Sequence, residues 1–219
     1  MAVDLTLTTD MLEKIFYLAT DDNIFIFESL FNKYRVNFNL SCAFDINAFL
    51  AQILSEIGPA LIGVRENLNY SCKSLKIFSY YRNNPKEAQK DGRCKGHAAN
   101  QVNIGNKAYG KRLGNGSIST GDGYMFRGGG FFQLTGRNHY TNIPDTINAK
   151  INRAIFPEML VEKITSTYWG LTSAMAFWSL YCDHCSTIDC TTKAINYYTD
   201  SYQRRRDNYD LVVSVTNFQ

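Results

Sequence analysis

The sequence predicts a mainly α fold on three observations. Apolar residues recur at three- and four-residue spacing through most of the chain, and strict apolar–polar alternation is nearly absent. One glycine-dense stretch, residues 113–130, interrupts the helical pattern. No internal repeat, low-complexity tract or linker divides the 219 residues, so residues 1–219 read as a single domain.

Thr8-Thr9-Asp10 ahead of Met11, Leu12, Ile15 and Phe16 reads as a capped amphipathic helix, since a threonine oxygen satisfies amides the first turn leaves open. Residues 24–34 repeat the pattern with Phe27, Leu30 and Phe31. A third helix, residues 45–56, puts Phe49, Leu50, Ile53 and Leu54 on one face, and Gly58-Pro59 stops it. Residues 68–81 read as a fourth helix. Residues 82–100 form a polar stretch whose Asn-Asn-Pro and Asp-Gly mark turns, and residues 101–111 read as helical. Past the glycines at 114, 116, 121, 123, 128, 129 and 130, helical periodicity returns over 131–140, 165–180 and 192–212.

Composition narrows the function classes. Hydrophobic residues at 45% and charged residues at 20% are ordinary for a globular domain large enough to bury a core. A net charge of +3 is too mild for a nucleic-acid binder, yet helps a protein dwell on a polyanion such as a cell wall. Stable membrane insertion is not expected, because no run reaches about 18 apolar residues. The first ten residues lack the basic and apolar regions of a signal peptide, so synthesis in the cytoplasm is expected. Of six cysteines, Cys182, Cys185 and Cys190 with His184 invite a zinc reading, for which only Cys94 and His97 offer a distant second pair. Mostly reduced cysteines are the expectation, with Cys182–Cys185 or Cys185–Cys190 open to later oxidation. Gly105 to Lys111 matches part of a phosphate-binding loop, but Arg112 fills the Ser/Thr position and no strand precedes it.

Glu56 continues the apolar face of the third helix, three residues after Ile53. Desolvation at the end of a buried stripe raises a carboxyl pKa and suits a general acid; the alternative is a helix-end glutamate in a salt bridge. Ten residues on, Glu66 is placed to offer a second carboxylate across a cleft, or to oppose a helix dipole. Two carboxylates about 6.5–9.5 Å apart suit hydrolysis with inversion. Within Gly121 to Arg137, the glycines let backbone approach a bulky substrate, while Gln133 and Thr135 bring amide and hydroxyl groups.

These residues resemble glycoside hydrolase family 19, in particular its phage endolysin branch. The likeness runs through Phe49-Leu-Ala-Gln-Ile-Leu-Ser-Glu56, Glu66-Asn-Leu-Asn-Tyr70, Leu113-Gly-Asn-Gly116, Gly121-Asp-Gly-Tyr124 and Gly130-Phe-Phe-Gln-Leu-Thr-Gly-Arg137. Weaker echoes follow at Ala176-Phe-Trp178, at Ile195-Asn196 and at Arg205. The resemblance implies a lysozyme-like, two-lobed helical catalytic domain whose glycine-rich central loop lines a cleft. It implies Glu56 as general acid, Glu66 as base, and Thr135 as the hydroxyl that helps position water. Gln133, Tyr124, Asn196 and Arg205 become substrate-groove residues, Asn196 and Arg205 as a polar pair near the acid whose Arg would orient a carboxylate through its fork of donors, although Tyr124 better suits a core and Arg205 also suits a solvated helix face.

The expected function is an endolysin that cleaves β-1,4 glycosidic bonds of bacterial peptidoglycan by inversion. It would act on glycan strands as a monomer, with no cofactor or metal, after the membrane is permeabilised. A chitinase acting on chitin oligomers, or an inactive wall-binding protein on the same scaffold, are the alternatives. This chain departs from the family pattern at Ile57-Gly58-Pro59, where Ser-Gly-Gly is usual, in a loop to Glu66 that is one residue longer, at Gly129, where Arg is common, and at His139, where Asn is usual.

Overall fold

The computed structural model describes residues 4–218, and the mainly α expectation holds, with twelve α-helices among the described residues. The chain opens with α1 (Thr9–Ile15), α2 (Asp21–Tyr34) and α3 (Ala43–Ile57). Thr8 and Thr20 cap the first two, each side chain accepting an amide of the first turn, and Gly58 ends α3 at φ 71°. A two-residue strand β1 (Val64–Arg65) leads into α4 (Ser79–Asn83), α5 (Pro85–Asp91) and α6 (Gln101–Tyr109). The return path runs through α7 (Asp122–Met125) and strand β2 (Gly129–Gly130), antiparallel to β1 with Val64 opposite Gly130 and Arg65 opposite Gly129. Then follow α8 (Arg137–Ile151), α9 (Pro157–Lys163), α10 (Thr167–Tyr181), α11 (Ile188–Ile195) and α12 (Tyr202–Thr216).

Two separate hydrophobic clusters define two lobes. The larger is centred on fully buried Phe49 of α3, which meets Trp178 of α10 edge-on at 5.6 Å, Phe132 at 5.7 Å and Phe31 of α2 at 5.7 Å. Such pairs each contribute about 0.5–1.5 kcal/mol beyond area burial. Trp178 is therefore core. The smaller lobe buries only Leu68, Leu75, Tyr81, Ala88 and Ile104. It is tied instead by polar groups: Lys107 Nζ lies 2.5 Å from both Glu87 Oε2 and Asp91 Oδ2, and Tyr81 Oη donates to Asp91 at 2.9 Å. Burial pushes the Asp91 carboxyl up, but hydrogen bonds from Lys107, Asn103 and Tyr81 outweigh it and hold the group below the usual carboxylate range.

Four readings from the sequence need correction. Residues 68–81 are not one helix: a short 3₁₀ turn (Ser74–Ile77) precedes α4, because Ser71 bridges to Arg93 and Cys72 is bonded to Cys94. The polar stretch 82–100 contains α5, started by Pro85. Phe131 to Gly136 is a loop, its backbone taken out of helix by positive φ at Gly130, Gln133 and Gly136. Residues 192–212 are broken after Ile195 and resume as helix only at Tyr202. The cysteines differ as well. Cys72–Cys94 and Cys185–Cys190 are disulfides, whereas Cys42 and Cys182 are free. His184 sits beside the second pair, with its ring nitrogen 3.9 Å from Cys185 Sγ. Among the described residues no helix is long and apolar enough to cross a membrane.

Candidate active site

Glu56 ends the apolar stripe of α3, and Gln52 one turn earlier lies on the same face. The stripe finishes in a polar layer, where Glu56 has the salt-bridge partner of the alternative reading. Arg205 of α12 reaches into this layer, donating from Nη2 to Glu56 Oε1 and from Nη1 to Gln52 Oε1. Its side chain is 2% exposed and that of Glu56 10%, so the reading of Arg205 as a solvated helix face is excluded. Gln52 Nε2 donates at 2.9 Å to both Thr191 and Thr192 Oγ1 of α11, and Ser201 Oγ accepts from Arg205 Nε at 3.1 Å. These bonds hold Glu56 Oε1 in direction as well as in place, while among the described residues no hydrogen bond reaches Oε2. Asn196, at the end of α11, is exposed, and among the described residues no hydrogen bond joins its side chain to Arg205.

Glu66 sits just after β1, where the chain crosses from the large lobe to the small one. Its carboxylate accepts from the Tyr109 hydroxyl at 2.6 Å through Oε1 and from the Gly128 amide at 3.1 Å through Oε2. Its backbone is pinned to the glycine-rich segment as well, donating to Gly128 O at 2.8 Å and accepting from Arg127 Nε at 3.1 Å. The Tyr109 hydroxyl is driven above its ordinary range by burial and then by the Glu66 charge. It therefore remains a proton donor to Glu66. The helix-dipole alternative for Glu66 does not describe it, since residues 66–73 form no helix.

Gly128 shows why glycine is needed here. A Cβ on it would stand 2.5 Å from Gln133 Oε1 and 3.5 Å from Glu66 Oε2, so the Gln133 amide and the Glu66 carboxylate share one flank of this residue. Gln133 itself takes φ 50°, a conformation that costs a side-chain-bearing residue about 1–3 kcal/mol and is held by the loop around it. Thr135 Oγ1 donates to Gln133 O at 2.8 Å, leaving its lone pairs open to accept from water or a sugar hydroxyl. The Thr135 amide donates to His139 Nδ1 at 3.3 Å. His139 is kept below the usual histidine range by burial, and this acceptor role places the proton of the neutral ring on Nε2.

The departures at 129 and 139 thus have structural roles. His139 anchors the Thr135 backbone. At Gly129 a Cβ would meet Tyr140 Oη at 2.6 Å and Arg65 Nη1 at 2.9 Å, so Arg65 already fills the space beside it. Arg65 donates to Tyr140 Oη at 2.6 Å, to Arg127 O and to Met125 O, bracing the loop from below. Tyr124 is half-buried against the small-lobe core, with the Arg127 guanidinium 4.0 Å over its ring. Gly105 to Tyr109 lie inside α6, with Gly110 as its cap, so the segment ahead of Lys111 is helix and not a phosphate-binding loop.

Three residues that shape the site were not found by reading the sequence. Gln52 carried a signal, a polar residue four before Glu56 on an otherwise apolar face. Tyr109 carried none, because its partner lies 43 residues away. His139 was visible only as a departure from a pattern.

No family model matches the chain. Among curated proteins, it is 32% identical over 171 residues to a protein of Haemophilus influenzae described as "Glycosyl hydrolase family 19 domain-containing protein". The match spans 77% of this chain and 78% of that protein.

Proposed function

The chain belongs to glycosyl hydrolase family 19, and from that premise we propose that it cleaves β-1,4 glycosidic bonds of bacterial peptidoglycan by inversion. Glu56 gives its proton to the departing glycosidic oxygen. Glu66 removes a proton from a water that attacks the anomeric carbon from the opposite face, with Thr135 Oγ1 holding that water. The C–O bond to the leaving sugar breaks as the bond to water forms, and the proton balance closes between the two carboxylates. Arg205 is a positioning residue that aims Glu56. Gln133, Asn196 and Tyr124 contact the sugar units, and no cofactor, metal or second subunit takes part.

The observation that carries this reading is the setting of Glu66. Its carboxylate is fixed from two sides by Tyr109 and Gly128, next to the Gln133 amide and on the loop that presents Thr135. The two disulfides fit a working compartment outside the reducing cytoplasm, as for a phage lysis enzyme that meets the wall once the membrane is breached.

The test is release of reducing sugar from purified cell walls by the protein, Glu56→Gln and Glu66→Gln. Each substitution should lower turnover by about 10²–10⁴-fold. Walls left uncut by the unaltered protein would remove the peptidoglycan reading, and faster turnover of chitin oligomers would make it a chitinase.

A further inference from the structure

Charge is divided unevenly between the lobes. Of 23 basic and 20 acidic residues, ten basic and three acidic fall between residues 66 and 112, leaving 13 basic against 17 acidic elsewhere. The three acids are engaged internally: Glu66 by Tyr109 and Gly128, Glu87 and Asp91 by Lys107. The other nine cations of that stretch are exposed, and among the described residues none of them is in an ion pair. The small lobe thus presents cations to solvent with no exposed acid from its own segment.

Part of this surface is shaped. Lys73, Arg93 and Lys95 line a concavity of about 290 Å³ together with Ser71 and Gln89. Like charges this close repel, and the Cys72–Cys94 disulfide and the Ser71–Arg93 bridge hold the two cationic segments together against that repulsion. We infer that this face of the small lobe grips the free carboxylates of peptidoglycan stem peptides, an inference that rests on the hydrolase reading above. Chitin carries no charge and offers nothing to such a surface. Peptidoglycan carries carboxylates along every strand, and the lobe that attracts them is the lobe that holds Glu66. The cationic face therefore raises the local concentration of charged strand at the site and selects it over a neutral glycan of the same linkage.

The experiment uses the whole protein and compares Lys73→Glu/Lys95→Glu with a control pair on the large lobe, Lys33→Glu/Lys163→Glu, which alters net charge equally. Co-sedimentation with purified peptidoglycan is measured at rising NaCl, alongside hydrolysis of peptidoglycan and of a neutral chitin oligosaccharide. The small-lobe pair should weaken sedimentation and raise KM on peptidoglycan about tenfold, with kcat and oligosaccharide turnover unchanged. The control pair should sediment like the unaltered protein. Equal loss in both pairs would overturn the inference, as would equal loss on the neutral oligosaccharide, or retention on double-stranded DNA at higher salt than on peptidoglycan. Sedimentation is read without turnover, so an uncut wall would remove the peptidoglycan-hydrolase reading while leaving the grip measurable.

Discussion

The two lobes solve the same problem by different means. The large lobe is held by an aromatic core around Phe49 and carries Glu56 at the end of a buried helix, met by the charge of Arg205. The small lobe has five fully buried apolar residues, an inward ion cluster around Lys107, and a crosslink between Cys72 and Cys94. It holds Glu66 with two neutral donors, a tyrosine hydroxyl and a backbone amide. A lobe of this size cannot bury enough apolar surface to stand on that alone, so polar ties and a staple make up the difference. The contrast teaches that the two candidate carboxylates are fixed by unlike chemistry, and each lobe should fail under a different perturbation.

The largest effect should come from removing the charge that the large lobe buries. Arg205→Met leaves Glu56 and Gln52 without their shared partner and should cost about 3–5 kcal/mol in urea unfolding, with loss of turnover. Unchanged stability would show that Glu56 is not held by charge. Next, Cys72→Ser with Cys94→Ser should cost about 3 kcal/mol, and Cys185→Ser with Cys190→Ser, which opens a shorter loop, about 2 kcal/mol. Hydrogen exchange should locate the first loss in residues 66–112; a loss spread evenly over both lobes would break the comparison.

A smaller effect is expected at Tyr109→Phe, which removes one of two donors to Glu66. Turnover should fall about tenfold while the unfolding free energy changes by about 1–2 kcal/mol. The smallest concerns His139. Its folded pKa is depressed, so its contribution is present above the unfolded value of about 6.5 and is lost as pH falls through the folded one. The unaltered protein should exceed His139→Phe in thermal midpoint at neutral pH, with the gap closing in acid. A gap independent of pH would mean that the Thr135 amide does not depend on the neutral ring.

Much of the large lobe was legible in the sequence, because local pattern and packing agree there. Phe49, Leu50 and Ile53 declare the buried face of α3, and Thr8 marks the start of α1. The small lobe misled. Leu68, Leu75 and Tyr81 are all buried, yet they sit on an irregular segment, a 3₁₀ turn and a separate short helix, because Ser71 and Cys72 between them are tied to residues 93 and 94, and pairing over that distance leaves no periodic trace. The same holds for Phe131, Phe132 and Leu134, which fill the core from a loop whose conformation is set by Gly130, Gln133 and Gly136. At the site, Glu56, Glu66, Gln133 and Thr135 were read from motif. Arg205 was read from motif as well, and it meets Glu56 from α12, whereas Tyr109 was missed because it arrives from an element 43 residues away.

The most direct measurement follows the anomeric configuration of the first sugar released, by proton NMR, as the protein cuts its substrate. With Glu56 as acid and Glu66 activating water from the far side, the α-anomer should appear first and equilibrate afterwards. The β-anomer appearing first would mean a glycosyl-enzyme intermediate, and would contradict the role given to Glu66.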